Sequence, residues 1–357
     1  MKLWKIEEIR AIAVLSVLCA HFSLTNDTMN RIFPGGGYQI PFYLGADLFF
    51  VISGFFISRE IIRPDFQILK YYKKRICKIY PPLIGVMLMA IALNMVLGQM
   101  EMCQDPHLVS TMDEMVAESV YTLAGNLNYE YDVYAYGAFW YIRVLLWCYL
   151  VAGIAGFSLC KFVKDRCRVL RILSFTAVIC CLAGRMLVLC GVSLHRVPLL
   201  EGILMWRADF VLAGVLAGVV DFPVKWQKKR TGWLLVLPMT VSLFTEGALT
   251  DFYTAKYQSS IGYSSALICF FLAVGLAAGS AKQDTVPYVK WIASRSYAIY
   301  LTQFLSLQIA WIFIRVLQEK VFYLTPWIFG VEQMIFGSVT CVLVSEFVYR
   351  KNRCKEN

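Results

Sequence analysis

The chain has 357 residues, of which 59% are hydrophobic and only 16% are charged, and its mean hydropathy of +0.61 is far above that of soluble domains. This composition excludes a typical soluble enzyme and predicts an integral membrane protein. We attribute the formal net charge of +10 to membrane topology and to anionic lipid on the cytoplasmic leaflet, and not to nucleic-acid binding.

Apolar runs of near-spanning length recur from end to end, and no polar region is long enough to fold as a separate soluble domain. We therefore predict an all-α polytopic membrane protein in which residues 1–357 form a single domain. Ten transmembrane helices are predicted at 9–24, 42–62, 80–98, 138–159, 171–191, 199–220, 232–247, 261–280, 296–315 and 326–348. With the N-terminus inside, most of the 34 Lys and Arg residues fall in cytoplasmic segments, as the positive-inside rule requires. Both termini are then cytoplasmic.

The first predicted span contains two ionisable residues, Arg10 and His21. Ionisable residues inside a membrane are costly and often mark functional sites. The spacing of these two corresponds to about three helical turns and a rise of about 16 Å. They should therefore share one helix face at different depths, with Arg10 toward the cytoplasm.

A histidine in a span can be a general base, a proton relay, a metal ligand or a packing residue. A metal site is not expected, because His107 and His195 fall in predicted outside loops and no cysteine pair has zinc-site spacing. Base, relay and packing stay open on the residues alone. If His21 is a base or a relay, a buried carboxylate should orient it, and Asp47 at the outer end of the second span is expected at a similar depth.

Further unusual residues lie beside the fourth span. The predicted outside loop at 99–137 is acidic and contains no Lys or Arg, which indicates either the topology rule alone or a role in positioning an acceptor. Trp140 and Tyr141 at the start of the span are typical of an aromatic belt at the membrane interface. Arg143, close behind them, is harder to explain as an interface residue.

The sixth predicted span contains Glu201, Arg207 and Asp209, which predict either a self-neutralising network or the lining of a cavity. Arg185 in the fifth span has no evident local partner. Such charges indicate a water-accessible or ligand-filled interior. An enzyme would use them to hold an anionic donor and activate an acceptor, whereas a transporter would use them as a proton-coupled relay. Inverted repeats would favour the transporter, and the two halves of the chain show no convincing similarity.

Five motifs occur in order along most of the chain. They are Arg10 with His21, GADLFFVISGFFIS at Gly45–Ser58, KKRICKIYPP at 73–82, FWYIRVLLWCYL at 139–150 and SYAIYL at Ser296–Leu301. Together they resemble the membrane O-acyltransferases of acyltransferase family 3, and the Gly45–Ser58 motif is the most specific match. The resemblance implies transfer of an acyl group, most often acetyl, from cytoplasmic acyl-CoA to a hydroxyl of a cell-envelope carbohydrate. It implies no bound cofactor and a location in the bacterial plasma membrane.

The resemblance also implies roles for individual residues. Arg75, Lys78 and Arg10 are expected to bind the phosphates of the donor by charge-assisted hydrogen bonds. His21 is expected to act as the general base toward the acceptor hydroxyl. Arg143, or Arg207 if it faces inward, is expected to stabilise the developing oxyanion. The remaining candidate cavity residues are Trp140, Tyr141, Asp209, Tyr297, Tyr300 and Gln303.

Two residues depart from the family pattern. Lys78 replaces the second arginine of an Arg-x-x-Arg pair, and lysine attracts phosphate as a point charge without the bidentate fork of arginine. Gln303 replaces the histidine that often follows the SYxxYL motif. A glutamine cannot act as a base, so His21 is expected to carry proton transfer alone.

The sequence leaves the path of the acyl group open. The spans either transfer it directly to an envelope glycan or glycolipid or hand it to a separate extracytoplasmic partner. The alternative function is a membrane carrier of an acyl group or glycolipid without transfer chemistry, and a third is an inactive sensory or scaffold relative.

Overall fold

A computed structural model describes residues 4–24, 41–98, 110–127, 133–222, 231–246, 260–279, 286–320 and 326–353. Within these ranges the chain is helical and contains no strand, which confirms the predicted all-α class. The α-helices are α1 (Trp4–Leu24), α2 (Leu44–Ile61), α3 (Ile68–Leu97), α4 (Met112–Ala124), α5 (Phe139–Phe162), α6 (Arg166–Leu189), α7 (Pro198–Met205), α8 (Asp209–Val219), α9 (Thr231–Glu246), α10 (Ser260–Gly279), α11 (Pro287–Lys320) and α12 (Pro326–Arg353). Each predicted span coincides with one of these helices, except that the span at 199–220 is divided between α7 and α8.

In the described ranges, five helices are long and apolar enough to cross a membrane, namely α3, α5, α6, α10 and α11. Helices α7 and α8 would add a sixth if they count as one span, but they are bent by 84° at the break between them. Shorter apolar stretches lie in α9 and α12, at Gly232–Ser242 and Ile335–Tyr349. The chain is thus a multi-pass membrane protein, while the full set of predicted spans and the side of its termini stay predictions.

The helices form two compact units. Unit 1 comprises residues 1–20, 38–72 and 148–293, and unit 2 comprises residues 21–37, 73–147 and 294–357. Several helices run from one unit into the other, and α1 does so between Ala20 and His21.

In unit 1, glycines allow α2 to approach its neighbours at backbone distance. A Cβ added at Gly54 would overlap the carbonyl of Val211 in α8, and one added at Gly214 would overlap the carbonyl of Val51 in α2. At Gly45, an added Cβ would meet the backbone of α1. Membrane helices use small residues in this way to bring their backbones together. The Gly45–Ser58 motif is therefore, in large part, a helix-packing motif.

In unit 2, α4 lies antiparallel along α3. Asn94 near the end of α3 exchanges two hydrogen bonds of 2.6 and 3.0 Å with Ser110, just before α4. Tyr80 donates a hydrogen bond of 2.9 Å to the carbonyl of Leu123 near the end of α4. The contacts are separated by about 20 Å along each helix. The segment 99–137 was predicted as an outside loop, but its described part contains a helix, α4, that packs alongside the candidate span α3.

Both ends of α4 are specified locally. Thr111 and Glu114 form a capping box, in which the Thr111 side chain accepts from the Glu114 amide and the Glu114 carboxylate accepts from the Thr111 amide. Gly125 ends the helix with a left-handed φ of 71°, and the amide of Asn126 donates to the carbonyl of Tyr121 at 2.8 Å. These signals are visible in the sequence, but the topology prediction assigned the region to a loop.

Candidate active site

His21, near the end of α1, is held by an amide from α11. Its Nδ1 lies 2.9 Å from Gln303 Oε1, its ring packs against Phe304 with centroids 4.5 Å apart, and the Gln303 side chain is fully buried. An amide oxygen can only accept a hydrogen bond, so Nδ1 donates and Nε2 keeps the lone pair. The sequence pointed to Asp47 as the orienting group. The structure instead gives this nitrogen to Gln303 and pairs Asp47 with Arg207.

Two tyrosines on the same side of α11 form hydrogen bonds to the backbone of neighbouring segments. Tyr297 donates a hydrogen bond of 3.1 Å to the carbonyl of Ile79 in α3. Tyr300 donates one of 2.9 Å to the carbonyl of Ala138, just before α5, and its ring lies 5.1 Å from that of Tyr141. Both hydroxyls, expected to face a cavity, bind backbone oxygens here. They position the segment of α11 that carries the glutamine.

The predicted donor-binding pair lies on α3 in the same unit. Arg75 is half-buried and Lys78 is exposed. Arg75 lies one helical turn before Ile79, the residue of α3 that Tyr297 contacts, and Gln303 lies further along α11 from Tyr297. The path from Arg75 to Ile79 and from Tyr297 to Gln303 measures about 15 Å in helical rise. Within unit 2, the basic pair therefore lies at one end of this stretch of helix and the histidine, held by Gln303, lies at the other. Arg10 is half-buried in the part of α1 that belongs to unit 1.

Arg143 is fully buried at the start of α5 and forms an ion pair with Glu118 of α4. Its Nε and Nη2 also donate hydrogen bonds of 3.1 and 2.9 Å to Thr122 Oγ1. Glu118 is 1% exposed, and sequence reasoning missed it because it lay in a predicted outside loop. The neighbouring Trp140 and Tyr141 pack edge to face, 6.3 Å apart. The predicted oxyanion role of Arg143 would require this buried pair to open.

Unit 1 contains two further buried ion pairs. Arg207 Nη1 lies 3.3 Å from Asp47 Oδ2, and Arg185 Nη2 lies 2.7 Å from Asp209 Oδ2. The ring of Tyr263 faces both guanidinium groups, 4.8 Å from that of Arg207 and 5.0 Å from that of Arg185. The partner of Arg185, which the sequence did not reveal, is thus Asp209. The self-neutralising network predicted for Glu201, Arg207 and Asp209 is not seen, because Arg207 and Asp209 pair with residues of α2 and α6 instead.

Arg207 lies at the break between α7 and α8. Helix α7 ends with hydrogen bonds from the amide of Ala208 to the carbonyl of Ile203 at 2.9 Å and from the amide of Arg207 to the carbonyl of Leu204 at 3.2 Å. This is the Schellman arrangement, in which the residue after the helix is usually glycine. Here Arg207 takes that place with a φ of 56°. Such strain persists only where surrounding contacts hold the residue, and the ion pair with Asp47 and the ring of Tyr263 supply them.

The third member of the predicted network, Glu201, pairs with a different residue. It lies 2.9 Å from His195 Nδ1. Both residues line a cavity of about 240 Å³, together with Arg185 and Ser193. His107 lies outside the described residues. In unit 1, the ion pairs and this small cavity therefore share one residue, Arg185.

Comparison with known proteins identifies the family. A family model described as an acyltransferase domain, that of acyltransferase family 3, matches residues 4–347. Neither a search of curated proteins nor a search of solved structures gives a significant match. The match spans nearly all described helices and both units. The chain is therefore a membrane acyltransferase that belongs to acyltransferase family 3.

Proposed function

We propose that the enzyme transfers an acyl group, most often acetyl, from cytoplasmic acyl-CoA to a hydroxyl of a cell-envelope carbohydrate. The family supports acyl transfer in general, and the resemblance of the motifs supports the particular donor and acceptor. The enzyme would lie in the bacterial plasma membrane with its termini in the cytoplasm. The acyl group would pass either directly to the glycan or glycolipid or to an extracytoplasmic partner.

The observation that carries the proposed chemistry is the hydrogen bond between His21 and Gln303. A sugar hydroxyl is a poor nucleophile until a base takes its proton, and a positioned general base contributes about 10²–10⁴-fold in rate. With Nδ1 protonated, Nε2 of His21 offers the lone pair for this task. The contact with the buried amide fixes one tautomer of the ring, as a general base requires, and this favours the base over simple packing.

The donor phosphates would bind at Arg75 and Lys78, with Arg10 as a further cationic residue. Charge-assisted hydrogen bonds to phosphate are short and strong, and both members of the pair are accessible from outside unit 2. The acyl-bearing arm of the donor would then follow the stretch of about 15 Å toward the histidine. Tyr297 lies along this stretch.

The decisive experiment is mass spectrometry of envelope glycans from wild-type cells, deletion cells and cells that express His21→Ala. We expect an acyl mass increment in wild type that is lost in the other two. His195→Ala is the matched control, because the His195 side chain is 83% exposed and has no role in the proposed transfer. Persistence of the increment in well-expressed His21→Ala would refute the base, and an inactive scaffold would tolerate the same change.

Donor binding is tested separately with purified protein. Arg75→Ala combined with Lys78→Ala should weaken acyl-CoA binding, because two phosphate contacts are lost. Lys161→Ala combined with Lys164→Ala removes the same charge at the same spacing from an exposed segment and should leave binding unchanged. Equal affinity in both double variants would show that the donor site is elsewhere.

The alternative of a carrier is favoured by one observation, the broken helix pair α7–α8. Discontinuous helices often form the substrate sites of transporters. Purified protein in detergent, where no transport is measurable, distinguishes the two functions. Formation of the acylated sugar from acyl-CoA and acceptor would establish the enzyme, and its absence in protein that binds both would support the carrier.

A further inference from the structure

A cavity of about 530 Å³ lies between helices α6, α8 and α10 of unit 1. Its floor consists of nearly buried apolar side chains, one from each helix, and its walls include apolar side chains that are exposed. The floor residues are Val178, Leu216 and Leu267, and the exposed wall residues are Ile172, Phe175 and Ile268. The cavity is therefore an apolar groove that opens sideways, away from the helices that form it.

The apolar groove starts at one end of these helices. Along α6 its lining extends from Arg171 to Val178, a rise of about 10 Å. Helix α8 ends beside the same arginine, because Arg171 Nε donates a hydrogen bond of 2.8 Å to the carbonyl of Val219. On the predicted topology this is the cytoplasmic end. Since α6 and α10 are candidate spans, the apolar groove is expected to face the lipid chains of the bilayer.

Arg171 is the one charged residue among the described residues that line the apolar groove. Its side chain is 44% exposed, and its Nη2 lies 3.5 Å from the fully exposed carboxylate of Asp221. Exposed ion pairs of this kind contribute little to stability, so a second anion can replace the carboxylate at small cost. A guanidinium has five N–H donors and binds phosphate by charge-assisted hydrogen bonds.

The charge around this end is also positive. The segment 161–171 contains five Lys and Arg residues and one Asp. Basic residues on the cytoplasmic side attract anionic lipids, and basic pockets between membrane helices bind lipid headgroups. Diffuse attraction would explain the basic segment, but it does not require an arginine at the end of an apolar groove. A cation beside a groove for a hydrocarbon chain matches the two parts of an anionic phospholipid.

We propose that the apolar groove binds one anionic phospholipid of the cytoplasmic leaflet, with an acyl chain against its floor and the headgroup phosphate at Arg171. The inference does not depend on the proposed function, because none of these residues has a role in the transfer. A lipid that contacts α6, α8 and α10 together would stabilise unit 1, since a ligand that binds only the folded state adds to its stability.

Native mass spectrometry of the delipidated full-length protein in detergent, titrated with phosphatidylglycerol, tests the headgroup contact. Arg171→Gln should weaken the first binding event about tenfold, because a hydrogen bond to a charged group is lost. The variant should still fold, since glutamine Nε2 occupies the position of arginine Nε and can donate to Val219. Lys161→Gln removes the same charge from an exposed site outside the apolar groove and should leave the affinity unchanged.

The acyl-chain contact is tested in the same titration. Ile268→Trp fills the apolar groove and should weaken phosphatidylglycerol binding about tenfold, because the added volume competes with the chain. Ile261→Trp is the matched control, since Ile261 lies on the same helix, is 47% exposed against 46% for Ile268, and does not line the apolar groove.

Three results would each overturn the proposal. Equal affinities of Arg171→Gln and Lys161→Gln would place the headgroup elsewhere. Equal affinities of the two tryptophan variants would show that no acyl chain occupies the apolar groove. Binding of phosphatidylethanolamine with the same chains as tightly as phosphatidylglycerol would show that the site does not select an anionic lipid.

Discussion

Replacing either member of the Glu118–Arg143 pair should strongly destabilise the protein. The side chains are 1% and 0% exposed, so removal of one leaves the other as an uncompensated buried charge. Breaking a buried ion pair in this way costs about 3–5 kcal/mol. Glu118→Leu and Arg143→Met are each expected to lose stability in that range. For Glu118→Leu, Thr122 remains as the neutral partner of the arginine, so its loss should be at the lower end.

The double variant should recover most of this loss, because replacement of a buried pair by apolar residues of similar size is often neutral or stabilising. The stability of all four proteins is measured by thermal unfolding of purified protein in detergent, with the fraction that stays unaggregated after heating as the readout. The transfer rate per folded molecule is measured alongside. Losses that simply add in the double variant would show that the two residues do not interact. A stable double variant without activity would show that Arg143 acts on the substrate.

Close contact between α2 and α8 predicts that Gly54→Ala costs about 1–3 kcal/mol, whereas Gly85→Ala, with nothing within 4 Å of an added Cβ, should be neutral or slightly stabilising; equal unfolding temperatures would argue against the backbone contact. Arg207→Gly should be more stable than Arg207→Ala by about 1 kcal/mol, since both lose the ion pair but only glycine adopts a φ of 56° without strain. The reverse order in thermal unfolding would mean that this strain is absent. Tyr300→Phe leaves a buried carbonyl without its donor and should cost about 1–3 kcal/mol, which a heat-challenge assay would detect and an unchanged profile would contradict.

The positions of the helices were predictable because long apolar runs leave the chain few alternatives in a membrane. The break at Arg207 was not predictable. The run from Pro198 to Val219 is apolar apart from Glu201, Arg207 and Asp209, and no glycine or proline stands at the turn itself. The arginine adopts its backbone conformation because Asp47, 160 residues earlier, holds its side chain. Local sequence rules contain no information about such a contact.

The candidate site was likewise predictable from the sequence only in part. The motifs identified His21 and Gln303 as separate residues, and the departure from histidine at 303 was visible. Their pairing was not, because it joins positions 282 residues apart. Glu118 could have been found from the capping box at Thr111 and the glycine after α4. The predicted topology assigned that region to a loop, and this assignment outweighed the local helix signals.

The ion pair between Asp47 and Arg207 has a consequence for biogenesis. A ribosome adds about 5–20 residues per second, so α2 is complete roughly 8–30 s before the arginine is made. During this interval the carboxylate in the first turn of α2 lacks its cation, and an ionisable residue in a membrane segment is costly without a partner. The ion pair that holds this end of α2 therefore forms only after Arg207 is made. The most family-specific segment of the chain depends for its final place on a residue synthesised much later.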